Sequence, residues 1–241
     1  MFDHVTIRVS DRGASEGFYD TVLGTLGVER TAGEQFSEWN DFSLAPADAR
    51  NPVTRRLHVG FAAPSRDQVD RFWRAGTAAG YRDDGAPGPR PEYSDDYYGA
   101  FLLDPDGNSA EAVHGVSSTP AGHVDHVWIR VADLGASKRF YETVAPQTGF
   151  RLATERSGRA RFAGGPASFS VVAGRPSEHV HMAFGAGEDA TVDDFHRAAT
   201  EAGYRDNGAP GERPVYHEGY YSAFVLDPDG NNIEVVNHNR R

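Results

Sequence analysis

The stretch Asp104-Pro105-Asp106-Gly107-Asn108-Ser109-Ala110-Glu111 returns 123 residues later as Asp227-Pro228-Asp229-Gly230-Asn231-Asn232-Ile233-Glu234. Its first half is turn chemistry. Pro fixes φ, Asp accepts from nearby backbone amides, and Gly takes a positive φ. Its second half carries a carboxylate into a short strand. Working outward, the pairs Tyr97-Tyr98 and Tyr220-Tyr221 precede the two copies. Further back, Tyr81-Arg82-Asp83 recurs as Tyr204-Arg205-Asp206, Phe18-Tyr19 as Phe140-Tyr141, and Asp3-His4-Val5 as Asp125-His126-Val127. His4 and His126 stand 122 apart, so the spacing changes by one residue over the whole unit. That is a tandem duplication. Ser117-Ser118-Thr119-Pro120-Ala121-Gly122 reads as the linker between domains at 1–118 and 123–241.

Each half restarts once internally. Residues 4–9 alternate as a strand, and Phe18, Tyr19, Val22, Leu23 and Leu26 form a helical stripe within 15–26. Short strands are expected near 28–31, 36–39 and 41–45. The order begins again at Leu57-His58-Val59-Gly60-Phe61, with a helix marked by Val69, Phe72 and Trp73, then strands near 81–83, 98–103 and 109–114. The second half restarts at Val124 and Val180. The expected fold class is α+β: four βαβββ units, two per half, forming curved mixed sheets.

Strand alternation sorts the side chains. Val5, Ile7 and Val9 take one face of the first strand, and His4, Thr6 and Arg8 take the other. The matching strand sets Val127, Ile129 and Val131 against His126, Trp128 and Arg130. His58, Glu111, His181 and Glu234 likewise fall opposite the helix-packing face. The intervals His4–His58, His58–Glu111, His126–His181 and His181–Glu234 are 54, 53, 55 and 53 residues. A satisfied strand histidine is the ordinary reading of any one of these residues alone. Two full triads of two His and one carboxylate instead fit a site for Fe, Mn, Ni, Co or Zn. The chain has no Cys, so thiolate ligands and disulfides are excluded.

The Asp-His-Val openings, the Phe-Tyr helices, the second histidine strands and the Asp-Pro-Asp-Gly-Asn-x-x-Glu runs resemble the vicinal oxygen chelate superfamily, which includes glyoxalases, bleomycin-resistance proteins and extradiol dioxygenases. The resemblance spans nearly the whole chain, twice. It implies metal cavities with His4, His58 and Glu111 as ligands in the first half, and His126, His181 and Glu234 in the second. Glyoxalase I-type members add a Glu from the last strand of the first unit. Here Phe42-Ser43-Leu44 and Phe169-Ser170-Val171 offer no carboxylate in register, although Asp41 is close. Extradiol dioxygenases place a His and a Tyr ahead of the closing run. The second half keeps His217 but has Phe224, and the first half has Ser94 and Phe101.

One Tyr of each pair is expected to reach the cavity, with Tyr98 and Tyr221 as candidates to stabilise an oxyanion. His217 is an acid–base candidate. Arg8, Arg130 and Trp128 are candidate substrate contacts. The implied function is a divalent-metal-dependent enzyme acting on a small, oxygen-rich chelating substrate, as an isomerase, lyase or dioxygenase. The rival reading is a small-molecule or antibiotic-sequestering protein of the bleomycin-resistance type. The net charge of −11 with no basic stripe argues against nucleic acid and anionic membranes as partners. The start Met1-Phe2-Asp3-His4 lacks a signal-peptide pattern, so a cytoplasmic monomer or homodimer is expected.

Overall fold

The computed structural model describes residues 2–115 and 117–239. Four βαβββ units follow one another. The first is β1 (Phe2–Val9), α1 (Arg12–Leu23), β2 (Thr31–Ala32), β3 (Ser37–Trp39) and β4 (Phe42–Pro46). The second is β5 (His58–Ala62), α2 (Arg66–Ala78), β6 (Arg82–Pro89), β7 (Tyr98–Leu103) and β8 (Ser109–His114). The third is β9 (Val124–Val131), α3 (Leu134–Thr148), β10 (Arg151–Arg156), β11 (Arg159–Gly164) and β12 (Ala167–Ala173). The fourth is β13 (His181–Gly185), α4 (Asp189–Glu201), β14 (Arg205–Glu212), β15 (Tyr221–Leu226) and β16 (Asn232–Asn237).

The strands make two eight-stranded mixed sheets that cross the halves. One runs β14-β15-β16-β13-β1-β4-β3-β2, joining the fourth unit to the first. The other runs β10-β11-β12-β9-β5-β8-β7-β6, joining the third to the second. The joints are the antiparallel pairs β1/β13 and β5/β9. The helices pack within each half: Phe18 meets Tyr81 edge-on at 4.9 Å, and Phe140 meets Tyr204 at 4.8 Å.

Local chemistry sets these elements. Asp11 caps α1 by accepting from the Ala14 amide, and Asp133 does the same for α3 through Ala136. The stripe Phe18, Tyr19, Val22 and Leu23 is fully buried, as are Val5 and Ile7 facing it. The expected helix at 15–26 therefore starts earlier and ends in a 3₁₀ turn at Gly24–Leu26, stopped by left-handed Gly27. The strand expected at 28–31 shrinks to β2, because Val28 joins the core instead. The strand expected at 81–83 extends to Pro89. Register shifts at Gly85 and Gly88 let a Gly/Pro-rich run stay in the sheet.

The Asp-Pro-Asp-Gly-Asn turns also align neighbouring strands. Asp104 accepts from the amides of Asp106 and Asn108, and its other oxygen accepts from the Tyr19 hydroxyl. Asn108 Oδ1 accepts from the Leu57 amide at 3.1 Å, and Asn231 Oδ1 accepts from Val180 at 3.0 Å. Those bonds clamp β5 to β8 and β13 to β16, fixing each histidine strand beside its glutamate strand.

Candidate metal centres

Two groups of convergent donors occur among the described residues: His58, Glu111 and His126, and His4, His181 and Glu234. All six expected donors fall in these two groups, but the groups cross the halves and do not follow them. Each cluster takes His and Glu from one half and a single His from the other. The cause is the strand pairing. Gly60 of β5 lies opposite His126 of β9, and Thr6 and His4 of β1 lie opposite His181 and Ala183 of β13. We call the clusters the inner centre (His58, Glu111, His126) and the outer centre (His4, His181, Glu234).

At the inner centre, His58 Nε2 is 3.1 Å from Glu111 Oε2 and 3.2 Å from His126 Nε2. His126 Nε2 is 3.2 Å from the same carboxylate oxygen. At the outer centre, His181 Nε2 is 3.0 Å from Glu234 Oε2 and 3.1 Å from His4 Nε2, and His4 Nε2 is 3.5 Å from Glu234 Oε2. An ion with bonds of about 2.1 Å holds adjacent donors roughly 3.0–3.4 Å apart, so these triangles fit a divalent ion. The chemistry of the set agrees: two imidazoles and one carboxylate, with no thiolate.

Outer contacts orient the rings. His126 Nδ1 bonds to Asp125 Oδ1 at 2.9 Å, and His4 Nδ1 to Asp3 Oδ1 at 2.8 Å. An Nδ1–H held by a carboxylate leaves Nε2 free as a ligand and raises its basicity. His58 Nδ1 meets Ser109 Oγ at 3.2 Å, and His181 Nδ1 meets the Asn232 amide at 2.7 Å.

The two histidines of each cluster are pushed in opposite directions. Burial lowers the pKa of His126, but hydrogen bonds to Asp125 and Glu111 overcome it and lift the ring to about 9. Burial also lowers His4, and Asp3 with Glu234 again win, so it too is raised. His58 and His181 have Ser109 and Asn232 at Nδ1 in place of an Asp, and burial leaves both lowered. Burial alone would raise Glu111, but His126 and His58 hold it down to about 2. Glu234 is likewise lowered, against its burial, by His181 and His4.

The expectation for Tyr98 and Tyr221 is corrected by strand register. Phe101 pairs with Glu111 and Gly99 with Val113, so Tyr97 continues the glutamate-facing row while Tyr98 turns to the helix side. Tyr97 donates to Glu111 Oε1 at 2.6 Å, and Tyr220 donates to Glu234 Oε1 at 2.8 Å. Tyr98 instead donates to Asp70 on α2, and Tyr221 to Asp193 on α4. Burial and the adjacent glutamate both push the Tyr97 and Tyr220 pKa values far up, which keeps the phenols neutral.

His217 is also relocated. It bonds to His238 Nδ1 at 2.8 Å, and His238 bonds to Asp3 Oδ2 at 2.8 Å. It thus reaches His4 only through two intermediaries. Asp41 accepts from the Val124 amide at 2.9 Å and belongs to neither donor group. Arg130 and Trp128 line a cavity of about 350 Å³ over the inner centre, with His58, Glu111, Arg90 and Tyr93. Arg8 lies over Phe36 at 5.8 Å, beside the outer centre's strand. Sequence reading missed Asp3 and Asp125, although both stand directly before a ligand in the repeated Asp-His-Val. It also missed His238 and Arg159, which carry no repeat signal.

A family model described as Glyoxalase/Bleomycin resistance protein/Dioxygenase superfamily matches residues 1–112 and again 123–235. The chain belongs to this superfamily. Glyoxalase I from Zea mays superposes with a TM-score of 0.69 at 18% identity, covering 98% of this chain and 92% of that one. A variant of the same maize enzyme gives 0.71 at 19%, covering 98% and 92%. A protein of Bacillus subtilis subsp. subtilis str. 168, provisionally described as a dioxygenase, gives 0.68 at 14%, covering 99% and 85%. At these identities the likeness is one of fold across the full tandem. None of the curated proteins compared with this superfamily member matches it significantly. Its described helices include none long and apolar enough to cross a membrane.

Proposed function

We propose that this chain is a divalent-metal-dependent enzyme acting on a small substrate that chelates through neighbouring oxygens. The observation carrying this reading is the inner centre: two imidazole nitrogens and a fully buried carboxylate converge within 3.2 Å beneath an open cavity. A buried carboxylate facing two histidines needs a cation to offset its charge, either a proton on one ring or a metal ion held among them. A divalent ion held there would supply a Lewis acid to the bound oxygens.

The chain's own residues do the rest. Asp125 holds His126 in the ligating tautomer, and Tyr97 fixes the second oxygen of Glu111. Trp128 and Tyr93, whose rings meet edge-on 5.4 Å apart, form an aromatic wall of the cavity. Arg130 offers a cation to an anionic group of the substrate. The outer centre repeats the donors and is proposed as a second ion site. The reaction is isomerisation, elimination or oxygen-dependent cleavage, and a substrate screen decides among them.

The test is metal content of the tag-free protein, followed by turnover of chelating diols, hydroxy acids and ketoaldehyde adducts. Two equivalents, with turnover lost on chelation and restored by one metal, are expected. A chain that stays metal-free after loading with Fe(II), Mn(II), Ni(II), Co(II) and Zn(II) would exclude the enzymatic reading and favour small-molecule sequestration.

A further inference from the structure

The inner and outer centres differ most at one strand. Thr6 pairs with Ser43 and Trp128 with Ser170, so β3 and β11 occupy equivalent places. Glu38 then matches Arg161, because Glu38 pairs with Ser43 and Arg161 with Ser170. Two residues earlier, on the same face, Phe36 matches Arg159. The outer centre therefore has an aromatic and a carboxylate where the inner centre has two guanidinium groups.

These arginines stand next to the cavity, Arg159 paired with the lining residue Val172 and Arg161 with Ser170 on the same face. The Arg159 guanidinium sits 4.0 Å from the Trp128 ring centre, and its Nε donates to Ser170 Oγ at 3.0 Å. Trp128 in turn is 5.6 Å from the His58 ring and lines the cavity together with Arg90 and Arg130. Phe36 is spent differently, tilted 6.2 Å from Tyr216 with Arg8 over it. None of Arg90, Arg130, Arg159 and Arg161 forms an ion pair among the described residues, although ten other carboxylate pairs engage Arg or Lys elsewhere. Burial and the neighbouring Arg161 make the Arg159 charge harder to hold. In a chain of net charge −11, guanidiniums without a carboxylate partner that line a cavity (Arg90, Arg130) or flank it (Arg159, Arg161) lack their anion. The two acidic wall residues are already engaged: Asp84 accepts from Ser109, and Glu111 accepts from Tyr97 and faces His58 and His126.

We infer that the inner centre takes an organic anion: a small molecule whose vicinal oxygens would chelate the ion held by the three donors and whose carboxylate pairs with Arg159 and Arg161. The outer centre lacks this selectivity. Arg159 is the specificity-determining residue, because a guanidinium anchored over Trp128 and through Nε to Ser170 is pre-oriented for a carboxylate. The inference rests on the metal-site reading above for the chelating end of the ligand, but not for the carboxylate end.

The probes are 3,4-dihydroxybenzoate and 3,4-dihydroxybenzamide, which share ring and vicinal hydroxyls and differ in charge. Each is titrated calorimetrically into the zinc-loaded full chain, with zinc content measured before and after. The benzoate is expected to bind one site about tenfold more tightly than the benzamide, as a charge-assisted pair implies. The substitution pair Arg159→Phe with Arg161→Glu, which copies the outer centre, is expected to bring the ratio to about one with zinc retained. The reverse pair, Phe36→Arg with Glu38→Arg, is expected to add a second benzoate-selective site, a gain that misfolding does not produce. Equal binding of both probes to the zinc-loaded wild type overturns the inference and leaves the metal reading standing. A preference that survives Arg159→Phe with Arg161→Glu also overturns it. A benzoate preference that persists after zinc is stripped supports the anion site and removes the metal-dependent reading instead.

Discussion

The inner and outer centres use the same strand positions for their donors, yet the space around those donors differs. Opposite His126 stands Gly60, whose missing side chain is filled by the imidazole: a Cβ there would sit 2.4 Å from His126 Cε1. Opposite His4 stands Ala183. Beside Glu111 stands Gly99, where a Cβ would meet Glu111 Oε1 at 2.3 Å, and at the matching place beside Glu234 stands Ser222. The result is a side-chain exposure of 7% for His126 against 25% for His4. Behind the donors, Asp125 accepts from Ser117, whereas Asp3 continues to the half-buried His238 and His217. Duplication preserved the donors while the two surroundings diverged. The inner centre is closed behind and basic in front. The outer centre is looser and wired to half-buried histidines.

The sharpest way to break that comparison is pH. His126 is raised to about 9 and Glu111 lowered to about 2. Metal must displace the His126 proton, so inner-centre affinity is expected to rise about tenfold per pH unit up to about pH 9. The signs for the metal-free protein also follow. The raised histidine contributes stability below its ordinary 6.5, lost as pH climbs through about 9. The lowered glutamate contributes stability above its ordinary 4.5, lost as pH falls toward 2. The pair therefore favours the fold most between those two ordinary values. Zinc titrations in competition with a chelator across this range, with denaturation of the metal-free protein alongside, check both signs. A flat affinity would contradict the assigned protonation.

The glycine contrast comes next. Gly60→Ala is expected to cost about 1–3 kcal/mol, because the His126 ring must move, and to release one metal equivalent. Ala183→Gly at the outer centre is expected to cost about 1 kcal/mol or less and to keep both. Urea denaturation with metal analysis distinguishes them, and similar costs would show that the two centres are packed alike. The smallest effect separates neighbouring tyrosines. Tyr97→Phe strands a buried oxygen of Glu111 and is expected to cost about 1–3 kcal/mol, against about 0.5–1 kcal/mol for Tyr98→Phe on the helix side. A larger loss from Tyr98→Phe would return Tyr98 to the site.

Much of this was legible in the chain. The duplication, the four units and the core faces of β1 and β9 follow from spacing and alternation, as does the placing of all six donors on the side away from the helices. Alternation assigns a face but not a neighbour. Nothing in the spacing of His4, His58 and Glu111 says that β1 pairs with β13 rather than β5, so the ligands regroup across the halves. Tyr97 and Tyr98 failed for a related reason. They sit at a strand start, where the register that makes Phe101 face Glu111 is set by the turn at Asp104 and is not visible in a Tyr-Tyr pair. Arg159 was hidden because its matching residue is Phe36, so the repeat that exposed everything else concealed it.

Metal stoichiometry of two double variants tests the cross-half assembly most directly. His58→Ala with His126→Ala removes two ligands of one centre, and His4→Ala with His58→Ala removes one ligand from each. The first, although its changes lie in different halves, is expected to keep one equivalent. The second, with both changes in the first half, is expected to keep none. One equivalent retained by His4→Ala with His58→Ala, and none by His58→Ala with His126→Ala, would mean that each half builds its own site and would contradict the assembly described here.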